Sequence, residues 1–132
     1  MNATVEIRPA TNADFTAVLD LACQLAEHIQ SPRPPLTFER YEAFYLRPGA
    51  PMHLLVAVAA GRVVGLISWT VTHELYSACT RVYISDLVIA SSSRSQGVGS
   101  ALMNAAVAWA RARDIDKVCW DVWRFNETAK AF

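Results

Sequence analysis

The residues best suited to chemistry lie in one segment, Tyr83-Ile-Ser-Asp-Leu-Val-Ile-Ala-Ser-Ser-Ser-Arg94-Ser-Gln-Gly97-Val-Gly99-Ser100. Two glycines at the start of a predicted helix let the backbone approach a ligand closely. The unpaired N–H groups of a first helical turn, together with the helix dipole, favour a phosphate group there. Arg94 adds a fixed positive charge suited to phosphate oxygens. Arg94, Ser95, Gln96, Gly97, Val98, Gly99 and Ser100 therefore form a candidate pyrophosphate cradle. Other readings of the same residues stay open at this point. A dinucleotide fingerprint would want a third glycine, but Ser100-Ala-Leu102 follows Gly99, and seven residues separate Ile89 from Gly97. A triphosphate loop would want a lysine that the segment lacks. A helix can also begin with glycine for packing alone.

The elements that must position this segment are legible from periodicity. Val5 and Ile7 alternate with polar residues and predict a short strand ending before Pro9. Thr11 or Asn12 can cap a helix carrying Phe15, Val18, Leu19, Ala22, Leu25, Ala26 and Ile29 as an apolar stripe, stopped by the prolines of 31–36. Thr37 caps a shorter helix to about Leu46, closed by Pro48-Gly49-Ala50-Pro51. His53–Ala59 and Arg62–Thr72 predict two strands joined at Ala60-Gly61, and Arg81–Ile89 a third. Residues 91–93 read as a serine loop. Val98, Ala101, Leu102, Ala105, Trp109 and Ala110 form the stripe of the helix that follows. Lys117–Val122 predicts another strand, and Asn126 can cap a last helix. The order β-α-α-β-β-β-α-β-α implies a mixed sheet in a single α/β domain over 1–132.

Composition narrows the classes. The 132 residues are 53% hydrophobic and 18% charged, so a packed core is expected rather than disorder. Twelve basic residues (ten Arg, two Lys) balance twelve acidic ones, without the basic excess of a nucleic-acid binder. No apolar run reaches the length of a membrane span, and the N-terminal residues lack the apolar stretch of a secretory signal. Cys23, Cys79 and Cys119, like His28, His53 and His73, are scattered, arguing against a disulfide framework or a metal site. The expectation is a cytoplasmic, metal-free protein without nucleic-acid or membrane partners.

The order Arg-x-x-Gly-x-Gly, placed after the strand residues Asp86-Leu-Val-Ile89 and opening an amphipathic helix, resembles motif A of the GNAT superfamily of N-acetyltransferases. Val118-Cys-Trp-Asp-Val-Trp-Arg-Phe-Asn126-Glu-Thr-Ala129-Lys-Ala-Phe132 is similar to that family's motif B, and Ile7-Arg-Pro-Ala-Thr-Asn-Ala-Asp-Phe15 to its opening. The resemblance covers essentially the whole chain. Among subgroups it is nearest to small-amine members, including polyamine and aminoglycoside acetyltransferases, although Ser85 stands where polyamine-acetylating relatives carry a glutamate.

The resemblance implies an acetyl-CoA-dependent enzyme that acetylates a primary amine by direct attack in a ternary complex. Leu87, Val88 and Ile89 would pair with the pantetheine arm as though it were a further strand. A bulge near Leu87–Val88 would free a backbone N–H, assigned to Val88, to polarise the thioester carbonyl. Asn126 would bond the cofactor arm, with Glu127 and Ala129 alongside. An amine with a pKa of about 10 must lose a proton before attack; Asp86 is the candidate base, with a purely structural carboxylate as the other reading. The family's tyrosine that protonates the thiolate would follow Phe132, where the chain ends, so a chain truncated relative to the family is expected. A homodimer is also expected. The alternatives are a non-catalytic acyl-CoA-binding module and an acetyltransferase acting on a protein or peptide amine.

Overall fold

The structure is a computed structural model and describes residues 4–94 and 96–121. Five strands form one sheet in sequence order: β1 (Val5–Pro9), β2 (His53–Ala59), β3 (Arg62–Glu74), β4 (Cys79–Ile89) and β5 (Val118–Trp120). The first four run antiparallel; β5 pairs parallel with β4. That parallel pair requires a crossover, supplied by the helix that opens at Val98. The helices are α1 (Phe15–His28), α2 (Phe38–Tyr41) and α3 (Val98–Arg111). The mixed α/β architecture expected from the sequence is therefore observed, while the helix expected from Asn126 lies outside the described residues.

The alternation of the strands sorts the core into two layers. Ala57, Ile67, Trp69, Val82 and Ile84 pack against Val98, Leu102, Met103, Ala106 and Ala110 of α3. On the opposite face Leu54, Val56, Leu66 and Val88 pack against Val18 and Leu21 of α1 and Tyr41 of α2. The buried stripe of α1 runs through Val18, Leu21 and Ala26 rather than through Leu19 and Ala22, which are half-buried.

Local signals explain most element ends. Thr11 starts the first helical segment: its N–H donates to Asp14 Oδ2 at 2.8 Å, and a single 3-10 turn, Asn12–Asp14, precedes α1. Arg8 on β1 reaches the same carboxylate with two bonds of 2.7 and 3.0 Å, so one buried acid ties the first strand to the first helix. The Thr37 hydroxyl accepts from the Arg40 N–H, capping α2 as expected. Beyond Tyr41 the helix widens into one π turn, Glu42–Leu46, a form that the sequence pattern does not distinguish from α. Several ends differ from expectation: β1 includes Pro9, and β5 covers only Val118–Trp120 of the expected Lys117–Val122, whose last residue lies outside the described residues. β3 and β4 extend outward to Glu74 and Cys79, because the two strands continue to pair with each other after β2 has ended. The serines 91–93 form a 3-10 turn, with Ser93 buried.

Candidate active site

Two features of β4 create the site. The first is a bulge. Ser68 of β3 faces Asp86, and the next residue, Trp69, faces Ile84, so Ser85 is the extra residue. Val82 and Ile84 point toward α3; without the bulge Asp86 would follow them. The inserted Ser85 turns Asp86 to the opposite face, where the Ser68 hydroxyl donates to Asp86 Oδ2 at 2.7 Å. The negative charge of Asp86, after the larger effect of burial, also helps to raise the pKa of Tyr45 on the π turn.

The second feature is the short partnership with β5. It covers only Val82, Tyr83 and Ile84, paired with Val118, Cys119 and Trp120. Beyond Ile84 the outer edge of β4 has no neighbouring strand among the described residues. Backbone alternation decides which groups face that edge. The Ala90 N–H donates to Val64 O at 2.8 Å. Counting back in antiparallel register, Val88 and Asp86 direct their N–H groups to β3, while Leu87 and Ile89 direct theirs outward. This corrects two expectations. The bulge lies at Ser85 rather than near Leu87–Val88, and the N–H groups directed to the open edge are those of Leu87 and Ile89, whereas that of Val88 is directed to β3.

The glycine-rich segment meets this edge from the side. Gly97 is the N-cap of α3 with φ of +79°, a left-handed conformation that glycine adopts without strain, and no side chain caps the helix. The first helical bond is Ala101 N–H to Gly97 O, which leaves the N–H groups of Val98, Gly99 and Ser100 without helical acceptors. Among the described residues, no heavy atom other than those of its chain neighbours lies within 4 Å of where a Gly97 Cβ would stand, which leaves room beside these donors. Arg94 and Gln96 are exposed beside them, Gly99 is half-buried, and Val98 anchors the turn in the core at 2% exposure. The donors, the nearby guanidinium and the vacant approach suit a pyrophosphate, and the outward edge of Leu87 and Ile89 suits an extended amide-bearing arm. The predicted residues Ser95, Asn126, Glu127 and Ala129 lie outside the described residues.

Three participants escaped the sequence reading. Ser68 sits inside the apolar run Gly65-Leu-Ile-Ser-Trp69; a lone hydroxyl at a fully buried strand position was the signal available. Gln24 of α1 accepts from the Ser91 N–H at 3.2 Å, holding the turn that leads from β4 to the cradle. Tyr83 donates to Asp121, and this bond is the main reason its pKa is raised. Asp121 thus lies on the face that Asp86 occupies after the bulge.

Other aromatic and charged residues lie apart from the candidate site. Trp69 is fully buried, and Trp109 packs edge-on against it at 5.3 Å between ring centroids. His53 stacks on Trp69, and its pKa is lowered by burial and by Arg113, which lies over the Trp109 ring. Tyr76 stands exposed at the β3–β4 turn, and Glu74 pairs with Arg81, so neither joins Asp86. No described helix is long and apolar enough to cross a membrane.

Comparison with known proteins bears on the family and the fold. Residues 16–132 match the acetyltransferase (GNAT) family. Glucosamine 6-phosphate N-acetyltransferase 1 of Oryza sativa subsp. japonica is 34% identical over 119 residues, covering 85% of this chain and 69% of the rice protein. A variant of the BH1408 protein of Bacillus halodurans superposes with a TM-score of 0.87 at 28% identity, over 96% of this chain and 88% of its own. An aminoglycoside acetyltransferase from an uncultured soil metagenomic sample, solved with sisomicin, shares the fold. Its TM-score is 0.79 at 18% identity, over 97% of this chain and 84% of its own.

Proposed function

The chain belongs to the acetyltransferase (GNAT) family and is an N-acetyltransferase; from that premise we propose that it moves the acetyl group of acetyl-CoA to a primary amine of a small molecule, within a ternary complex. The observation that carries this reading is the end of the β4–β5 pairing at Ile84 and Trp120, which leaves the outward-facing Leu87 and Ile89 N–H groups without a strand partner among the described residues, beside the start of α3. Acetyl-CoA supplies the activated thioester. The N–H groups of Val98, Gly99 and Ser100, with Arg94, hold its pyrophosphate, and the outer edge of Leu87 and Ile89 holds its pantetheine arm. The Leu87 N–H bonds the acetyl oxygen and stabilises the charge that gathers there during attack. Asp86, oriented by Ser68, takes the proton that the amine must lose. The nitrogen–acetyl bond forms and the carbon–sulfur bond breaks; the second proton lost by the nitrogen passes through solvent to the departing thiolate, and Asp86 returns its proton to water, so the products are the amide, the free thiol and one proton.

Orientation of Asp86 and Asp121 on one face supports an acceptor that carries positive charge. The test is a calorimetric titration with acetyl-CoA and desulfo-CoA, with NADH as control. A thiol-release assay then follows with glucosamine 6-phosphate, an aminoglycoside and spermidine as acceptors. Saturable binding of the CoA compounds, with thiol released only when an amine is present, is the expected result. Binding without turnover on any amine would favour a non-catalytic acyl-CoA-binding module, and absence of binding would remove the proposal.

A further inference from the structure

Gly65 lies on β3 directly opposite Ile89, the last residue of β4, and beneath the first turn of α3. A Cβ at this position would stand 3.0 Å from Val98 Cγ1 and 3.1 Å from both Ile89 Cδ1 and Leu102 Cδ1. Separations this short require the neighbours to give by a few tenths of an ångström. Gly65 is therefore needed for space, in contrast to Gly97, which is needed for its backbone angle. The three atoms that meet at Gly65 belong to the two parts of the site. Ile89 closes the open edge of β4; Val98 is the first residue of α3, and Leu102 is one turn further along.

We propose that Gly65 is a positioning residue for acetyl-CoA: its missing side chain sets the height at which α3 rests on the sheet, and so the distance from the phosphate donors of Val98–Ser100 to the Leu87–Ile89 edge. The inference rests on the cofactor reading above. Val98 is 2% exposed and Leu102 fully buried, so both are enclosed in a close-packed interior, whereas Ile89 is half-buried; the contact with Val98, at 3.0 Å, is the shortest of the three. Val98 is also β-branched and held to one preferred rotamer in a helix. An added methyl group is accommodated by lifting the helix start. One ligand spans both parts, so a shift between them weakens contacts at one end or the other.

The decisive measurement is a double-mutant cycle on desulfo-CoA affinity with Gly65→Ala, Val98→Ala and the pair, each assayed well below its own melting temperature. Gly65→Ala is expected to weaken binding by about tenfold and to raise KM for acetyl-CoA in proportion, with a smaller change in kcat. In the Val98→Ala background, where the nearest methyl is gone, the same substitution is expected to cost much less. A purely structural role would lower the melting temperature of Gly65→Ala while leaving the affinity of the folded protein unchanged, and that result overturns the proposal. So does an equal penalty in both backgrounds. If Gly65→Ala does not fold, recovery of fold and binding in the double variant supports the helix-seating argument, and failure of both variants overturns it. Wild-type protein that binds no CoA compound refutes the cofactor reading itself, a different outcome from any of these.

Discussion

The Ser68 hydroxyl donates to Asp86 Oδ2 at 2.7 Å across the β3–β4 pair, one residue from the bulged Ser85. Ser68 is 1% exposed, and a buried hydroxyl needs a partner. With Oδ2 occupied by Ser68, the remaining oxygen is the one available to a substrate. Asp86→Asn is expected to lower kcat by roughly a hundredfold or more, the usual scale for loss of a general base, with desulfo-CoA affinity changed less than about twofold. Ser68→Ala should reduce kcat by a smaller factor in the same direction. Steady-state thiol release together with calorimetry separates the two quantities. Full activity in Asp86→Asn would assign the carboxylate to structure alone.

Gly97 holds φ of +79° at the head of α3 with open space where its Cβ would be. A Cβ on Gly97 meets no described atom beyond its chain neighbours, so Gly97→Val is expected to fold, at a stability cost of about 1–3 kcal/mol for a side chain on the left-handed backbone. Its side chain would occupy the approach to the Val98–Ser100 donors. CoA binding should therefore fall by well over tenfold, an effect that calorimetry on the folded variant would show. Unchanged affinity would place the pyrophosphate elsewhere.

Arg8 and Asp14 join β1 to α1 through two charge-assisted bonds, and Asp14 also accepts from the Thr11 N–H. The bonds from Arg8, against the opposing effect of burial, lower the Asp14 pKa below its ordinary 3.8. The unfolded carboxylate takes up its proton first as the pH falls. The stability contributed by Asp14 is therefore fully present above pH 3.8 and is lost as the pH falls from there through the lower folded value. Asp14→Asn should cost about 1–2 kcal/mol near neutral pH, on the scale of a lost cap, and should flatten this acid-induced decline. Thermal melts between pH 3 and 7 would show both effects.

His53 titrates with the opposite ionic form at stake. Burial, and then the charge of Arg113, lower its pKa from the ordinary 6.5, so the folded protein keeps the ring neutral while the unfolded chain protonates it. Its contribution is intact above pH 6.5 and declines as the pH falls below it, toward the folded value, after which it changes no further. A His53→Phe variant preserves an aromatic ring against Trp69 and Trp109 and is expected to lose this part of the pH dependence. Equal slopes of melting temperature between pH 5 and 7.5 in both proteins would dissociate His53 from the effect.

The order of strands and helices through β5, the caps at Thr11 and Thr37, and the glycine-rich start of α3 were legible in the sequence. Each follows from local chemistry: side-chain alternation, hydroxyl capping, and the backbone freedom of Gly97. The π turn at Glu42–Leu46 was not legible, because an apolar stripe reads alike in α and π geometry over a single turn. Nor was the functional face of Asp86. Alternation counted from Val82 and Ile84 sends Asp86 toward α3, and only the pairing of both Ser85 and Asp86 against β3 turns it to Ser68. The same count reassigns the outward N–H from Val88 to Leu87. Sequence by itself thus determined several groups of the candidate site, the glycine-rich helix start, Arg94 and Asp86, since residue type and local spacing fix charges and helix starts, but it did not disclose Ser68 or Gln24. Tertiary structure decided where those groups point and how far apart they stand, because strand register, the Ser85 bulge and the space above Gly65 arise only when distant segments pack together.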